Sequence, residues 1–182
     1  MGKRSVNLLR NMGIPYKFSE AQTFESTTAF TGAMSPGAGG LMRSTPVVLA
    51  DAASTTLTIA DNAGRTNVVI DVAQASTYNI PTPTAAGQYY HFIYGGNAAD
   101  GHNHLFRTVT TDNSVYFKGG IQWINNTNTV DNGEVVYSNG SSNELLTFVD
   151  PEAYDLHFLA LSATVWYVWG WVGSDTTPTM GD

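Results

Sequence analysis

The sequence predicts an all-β protein, specifically a jelly-roll-like antiparallel β-sandwich with an extended N-terminal arm. Short β-rich segments recur about every ten residues after Val47, and Gly, Asn, Asp and Pro turns separate them. The chain has 18 glycines, and only 13% of its residues are charged, which is typical of a turn-rich β protein. It contains no cysteine, so disulfides, thiol catalysis and cysteine-rich zinc sites are excluded.

The N-terminal segment differs in charge from the rest of the chain. We divide the chain into an arm at residues 1–31, a Gly/Ser/Pro-rich linker at 32–46 and a β-sandwich body at 47–182. Residues 1–43 carry a net charge of +3, whereas residues 44–182 carry −10. This contrast favours an arm that lies on the body of another molecule or on another acidic surface. The arm residues expected at such an interface are Lys3, Arg4, Leu8, Leu9, Arg10, Tyr16, Lys17 and Phe18.

The linker gives the arm a long reach. At about 3.3 Å per extended residue, the first forty-odd residues span roughly 130 Å, several times the radius of the body. No stretch is apolar and long enough to be a signal peptide or to span a bilayer, so no membrane partner is expected. The body also lacks a Gly-rich phosphate loop and a basic-aromatic patch, so no nucleic-acid partner is expected.

The sequence of the body predicts a series of short strands. Pro81 and Pro83 end one of them, and Asn132-Gly133 and Asn139-Gly140 supply turn residues that tolerate positive φ. No helix longer than one turn is predicted. The predicted strands before the closing block are 47–50, 55–59, 67–72, 76–80, 88–94, 105–109, 114–117, 120–124, 134–137 and 145–149.

The closing block, residues 155–172, is the predicted core hairpin and holds three of the four tryptophans. At period two, its second half is apolar on both faces of one strand. A two-layer sandwich buries only one of these faces in its own core, so the other needs a partner. The residues expected to face the core are Trp166, Val168 and Val172. The residues expected at an interface between protomers are Tyr167, Trp169 and Trp171.

One segment matches the start of a metal-binding motif. Residues Gly96–His104 fit the opening of the cupin motif, a glycine, five residues and then His-x-His. Thr108 and Val109 stand where a cupin glutamate falls, and His157 lacks the Gly and Pro flanks of the second cupin motif. Ser162 lacks the Gly-x-Ser-x-Gly turn of hydrolases. A solvated His-rich loop is the better interpretation, and we predict no catalytic residue, no metal and no cofactor.

Carbohydrate binding is a further possibility, because exposed aromatic rings on a β-sandwich stack on sugars. Trp123, followed by Asn125, Asn126 and Asn128, supplies a ring with amide partners. Trp123 also alternates with Ile121 in a strand pattern, which favours a core or interface residue.

Three elements of the body carry a resemblance. They are the threonine- and valine-rich opening strands, the segment Tyr78-Asn79-Ile80-Pro81 followed by Ala86-Gly87 and an aromatic strand, and the closing Leu156…Leu161…Trp166-Tyr167-Val168…Gly170. In these residues the region of roughly 47–173 resembles a small β-sandwich of tailed-bacteriophage virion proteins, and is most similar to capsid decoration, or cement, proteins.

The resemblance implies a structural virion protein without enzyme activity. Such a protein is made in the host cytoplasm, lies on the capsid exterior, binds the major capsid protein and clamps neighbouring capsomers, here as an expected homotrimer. Two alternatives of other classes stay open. One is a glycan- or receptor-binding module of a phage tail or fibre, and the other is a metal-dependent, cupin-like jelly-roll enzyme.

Overall fold

A computed structural model describes residues 45–96, 101–109, 113–126 and 133–182. The predicted arm, and all but the last two residues of the linker, lie outside this part of the chain. Two β-sheets pack face to face around one hydrophobic core, so the predicted all-β sandwich is confirmed. The strands are β1 Val47–Val48, β2 Ser54–Thr56, β3 Thr66–Val69, β4 Ser76–Ile80, β5 Tyr89–Tyr94, β6 His104–Thr108, β7 Tyr116–Asn125, β8 Val135–Tyr137, β9 Leu145–Phe148, β10 Pro151–Ser162, β11 Val165–Ser174 and β12 Thr179–Gly181.

The strand pairing is mixed rather than antiparallel throughout, which corrects the sequence-based prediction. The larger sheet has the order β1-β3-β5-β10-β11-β7-β8, and the smaller sheet has the order β12-β9-β6-β4-β2. Among the described strands, the pairs β1–β3, β3–β5, β2–β4, β4–β6 and β7–β11 are parallel. The predicted jelly-roll connectivity is not confirmed.

The parallel pairs arise because the first half of the chain alternates between the two sheets. Strands β1, β3 and β5 lie side by side in the larger sheet, and β2, β4 and β6 lie side by side in the smaller sheet. Each strand is followed by a crossing to the opposite sheet instead of a hairpin. Successive strands within one sheet therefore run in the same direction.

The closing block forms the long hairpin of β10 and β11, as predicted, with its turn at residues 163–164. Trp166, Val168 and Val172 are fully buried, which confirms the predicted core face of β11. On β10, Tyr154, Leu156, Phe158 and Ala160 point inward in the same alternation. The other face of the hairpin is thereby committed to the outer surface of the larger sheet.

Aromatic rings from both sheets fill the core. Phe92 on β5 meets Phe106 on β6 with ring centroids 5.0 Å apart, and Phe106 meets Phe148 on β9 at 5.6 Å. Trp166 on β11 packs edge-on against Tyr90 at 5.4 Å. These contacts fix which face of each strand is turned outward, because neighbouring side chains along a strand alternate between faces.

Strand β7 runs unbroken through a segment predicted as two strands. The sequence around Gly119 and Gly120 resembles a turn, but the chain there stays paired with β11 and β8. Gly119 has φ +98°, and a Cβ at this position would lie 2.3 Å from the Val168 carbonyl oxygen. Glycine is therefore needed for the close approach of the two backbones, and the strand continues through it.

A single helical turn, α1 (Ile59–Asn62), precedes β3. Thr58 caps it, because the Thr58 hydroxyl accepts a hydrogen bond from the Asp61 backbone N–H at 3.0 Å. In the described ranges, no helix is long and apolar enough to cross a membrane.

Candidate functional site

The outer face of the larger sheet carries the candidate site. Cross-strand registry places four side chains in one row: Thr66 on β3, His91 on β5, His157 on β10 and Trp169 on β11. These strands are consecutive in the sheet, and the side chains opposite one another on one face lie about 4.5–5.5 Å apart at Cβ. The fold therefore assembles polar and aromatic groups that are up to a hundred residues apart in sequence.

His91, Asp155 and His157 form what we call the His–Asp–His cluster. One carboxylate oxygen, Asp155 Oδ1, lies 2.9 Å from His91 Nε2 and 2.8 Å from His157 Nε2. The other ring nitrogens are also engaged, since Thr66 Oγ1 lies 3.0 Å from His91 Nδ1 and the Tyr89 hydroxyl lies 2.5 Å from His157 Nδ1. All four ring nitrogens of the two histidines thus have oxygen partners.

The cluster forms one side of an open cleft of about 400 Å3. Gly64 and Arg65, which follow α1, form another side. This wall is fixed to the sheet by a buried amide pair: the Asn62 side chain donates to Asn67 Oδ1 at 2.8 Å, and the Asn67 side chain donates to the His91 carbonyl at 3.2 Å. The Gly64 N–H also donates to the Tyr89 carbonyl at 2.7 Å. Buried, satisfied hydrogen bonds of this kind hold a site rigid.

The electrostatics of the cluster favour a neutral His157. Burial lowers the pKa of His157 below its usual value and outweighs the Asp155 carboxylate, which acts to raise it; nearby His91 adds a smaller lowering. A neutral imidazole keeps one ring nitrogen as a hydrogen-bond donor and the other as an acceptor or ligand.

Aromatic rings continue from the cluster across β11. The His91 and His157 rings are parallel within 3°, with centroids 4.6 Å apart, and Trp169 stacks on the other side of His157 at 4.9 Å. Tyr167 follows at 5.9 Å from Trp169. We call Tyr167, Trp169 and Trp171 the aromatic strip; Tyr167 is 42% exposed and Trp171 is 38% exposed.

The apolar surface extends beyond the strip to the edge of the sheet. On edge strand β8, Val135 pairs with Gln122 and Tyr137 pairs with Gly120 of β7. Tyr137 is 71% exposed and Val135 is 45% exposed. The outer face thus presents large apolar side chains on β11 and on edge strand β8, with Lys118 and Gln122 of β7 between them.

Of the predicted site residues, those of the body are described by the structure and those of the arm are not. Tyr167, Trp169 and Trp171 lie on the outer face, as their alternation predicted. Trp169 is more covered than the other two because it stacks on His157, an intramolecular contact that the sequence did not suggest. The predicted arm residues, from Lys3 to Phe18, lie outside the described residues.

The interpretation of the His-x-His segment as a solvated loop is wrong for its second histidine. His104 is fully buried at the start of β6, where its Nδ1 lies 3.0 Å from the Tyr154 hydroxyl. His102 lies in the preceding turn and is half-buried. The two side chains differ in environment because β6 begins at His104, whose side chain points into the core, whereas His102 lies before the strand.

Trp123 contributes to the packing of the sandwich rather than to an open sugar-binding surface. It packs against the core, and its indole N–H donates to the Ser174 carbonyl at 3.0 Å. Asn126 donates to Glu152 at 2.6 Å, and Asn128 lies outside the described residues. The indole N–H of Trp123 and the amide N–H of Asn126 are thus already engaged.

Sequence reasoning missed the His–Asp–His cluster. A partial signal was present, because Asp155 and His157 are two residues apart in a predicted strand and must share a face. His91 is 64 residues away from Asp155. Only the pairing of β5 with β10 brings it to the same place.

The comparisons with protein families and with curated proteins found no relative of this chain. No protein-family model matches the chain, and no curated protein matches it. Function must therefore be inferred from the residues and their arrangement.

Proposed function

We propose that this chain is a structural protein of a tailed-bacteriophage virion that decorates and cements the capsid, without enzyme activity. The observation that carries the proposal is the exposed apolar surface on the outer face of the larger sheet, centred on the aromatic strip. The occupant of this surface is a second copy of the same chain, and the expected assembly is a homotrimer. The resemblance of the body to decoration proteins supports the choice of a virion and of three subunits.

The size of the side chains supports self-association. Fully covering an aromatic or large aliphatic side chain is worth about 1.5–3 kcal/mol. Tyr167, Trp171, Leu161 and Tyr137 are each more than one-third exposed on this face or its rim. Several such side chains are needed to offset the roughly 4–15 kcal/mol cost of association. Repetition around a shell would add avidity.

The charge distribution supports a separate role for the arm. The described body belongs to the segment of net charge −10, and the arm belongs to the segment of net charge +3. An arm of opposite charge that carries apolar anchors such as Leu8, Tyr16 and Phe18 suits contact with a capsomer or a sister subunit. The major capsid protein is the proposed partner, on the capsid exterior.

Deletion of residues 2–30 tests the role of the arm. This deletion removes four cations and most of the arm's apolar side chains, but none of the strands β1–β12. We expect the truncated body to fold, as judged by circular dichroism, and to lose binding to expanded capsids in a co-sedimentation assay. A matched control that deletes linker residues 36–40 shortens the reach by only about 16 Å and should still bind. Equal capsid binding by the full chain and the 2–30 deletion would contradict the proposal.

A second candidate function is a glycan- or receptor-binding module of a phage tail or fibre. The cleft favours it, because Tyr89 and the nearby Trp169 offer rings close to the polar groups of Asp155 and Arg65. Glycan binding by the full chain that is lost in Tyr89→Ala, together with no binding to capsids, would favour this function over decoration.

A further inference from the structure

Three potential metal ligands converge on the outer face of β5 and β10. His91 Nε2 and His157 Nε2 lie 2.9 and 2.8 Å from Asp155 Oδ1. One ligand atom from each of the three residues lies within 4.8 Å of the other two. All three residues are half-buried, and they lie at the side of the open cleft. Two imidazoles and one carboxylate are a common ligand set for first-row divalent metals.

The Nδ1 atoms of the two histidines, on the side of each ring away from Asp155, have hydrogen-bond partners of the kind found for metal-bound histidines. A metal-bound histidine almost always donates its other ring N–H to an oxygen, which fixes the orientation of the ring. Here the Thr66 hydroxyl lies at His91 Nδ1 and the Tyr89 hydroxyl lies at His157 Nδ1, at 3.0 and 2.5 Å. Both contacts leave the Nε2 atoms turned toward Asp155.

Hydroxyl partners are compatible with both states of the cluster. Without a metal, each Nε2–H donates to Asp155 and each hydroxyl donates to an Nδ1. With a metal, the proton of each ring lies on Nδ1 and the hydroxyls accept, because Thr and Tyr oxygens can do either. This exchange of donor and acceptor roles needs a shift of tautomer and a rotation of two hydroxyl groups.

Metal binding requires a change in both the distances and the ring orientations of the cluster. Metal–ligand bonds of about 2.0 Å in a tetrahedron place neighbouring ligand atoms about 3.3 Å apart. The two nitrogen–oxygen distances in the cluster are 2.9 and 2.8 Å. To hold an ion, each nitrogen–oxygen distance opens by about 0.5 Å. The two parallel imidazole rings also rotate, so that both Nε2 atoms face one point.

We propose that His91, Asp155 and His157 bind one divalent transition-metal ion, with Zn2+ as the best match to this donor set. Three protein ligands would leave a fourth position of a tetrahedral ion open to a further ligand. The cluster lines the same cleft as Arg65. Thr66 and Tyr89 are positioning residues for the two histidines. This site is independent of the decoration function, and it joins β5 to β10 on the face that carries the aromatic strip.

Titration of the untagged, chelator-treated full chain with ZnCl2 in a calorimeter tests the proposal. We expect one equivalent of Zn2+ to bind. Removing an outer hydrogen-bond partner of a metal-bound histidine typically costs about 10–100-fold in affinity, so Thr66→Val should weaken binding by that amount. Loss of a ligand in His157→Ala or His91→Ala should cost more than about 100-fold.

The matched control is His102→Ala, which removes a histidine outside the cluster and should leave the affinity unchanged. Circular dichroism checks the fold of each variant, and His91→Ala replaces His157→Ala if the latter fails to fold. The proposal is overturned if the folded wild-type chain binds no Zn2+ at a 1:1 ratio. It is also overturned if a folded His157→Ala or His91→Ala variant binds Zn2+ as tightly as the wild type.

Trp169 provides a local readout of the same site. Its ring stacks 4.9 Å from that of His157, so a paramagnetic ion bound at the cluster should quench Trp169 fluorescence. Co2+ is therefore expected to quench the wild-type chain at one equivalent, and Trp169→Phe should lose most of that quenching. Quenching of the same size in Trp169→Phe would place the ion elsewhere and contradict the assignment.

Discussion

Replacing Trp166 by alanine is expected to lower the free energy of unfolding by about 3–5 kcal/mol. The Trp166 side chain is fully buried, packs edge-on against Tyr90, and donates its indole N–H to the Pro81 carbonyl at 3.3 Å. Alanine would leave a large cavity between the two sheets and remove the partner of that carbonyl. Urea unfolding of the dilute protein, followed by circular dichroism, measures the effect.

Trp171→Ala is the matched control for this prediction, because the same residue type lies on the opposite face of the same strand. Its side chain is 38% exposed, so in protein diluted until it is monomeric the loss should be clearly smaller than that of Trp166→Ala. Comparable losses for the two variants would mean that the inward and outward faces of β11 are not distinguished as described.

Replacing Tyr167 and Trp171 together by lysine is expected to convert the self-associated protein into a monomer. Tyr167 is 42% and Trp171 38% exposed, so covering the exposed parts of both contributes about 1–2 kcal/mol per protomer. Their loss corresponds to a weakening of association by roughly tenfold per protomer. The added like charges would also repel across a symmetric interface. Sedimentation velocity at micromolar concentration measures the change.

The control for the aromatic strip introduces the same charge elsewhere. Thr56→Lys combined with Thr179→Lys adds two cations at exposed positions of the smaller sheet. This variant should sediment like the wild type. Dissociation by both double variants would attribute the effect to net charge, and a wild-type chain that is a monomer would refute intrinsic self-association.

The local structure of the closing hairpin could be predicted from the sequence. Alternation alone separated Trp166 from Tyr167 and Trp171, because successive side chains of a strand point to opposite faces of the sheet. Turn chemistry likewise anticipated positive φ at Gly133 and Gly140. These predictions depend only on neighbouring residues.

The pairing of strands that are distant in sequence could not be predicted from neighbouring residues. Nothing local to β3 or β5 says that they run parallel, since direction depends on whether the chain turns back or crosses to the other sheet. The His–Asp–His cluster depends on the pairing of β5 with β10, so it was missed although the sequence shows Asp155 and His157 two residues apart. Strand β12 was also missed, because Thr179–Gly181 is too short to show a pattern.

Locating the chain in purified virions by cryo-electron microscopy tests the central claim most directly. The proposal predicts sandwich-sized density on the outer surface of the capsid, at local three-fold positions between capsomers, and its absence from particles that lack the chain. Density confined to the tail or its fibres, with none on the capsid, would contradict the assignment as a capsid decoration protein.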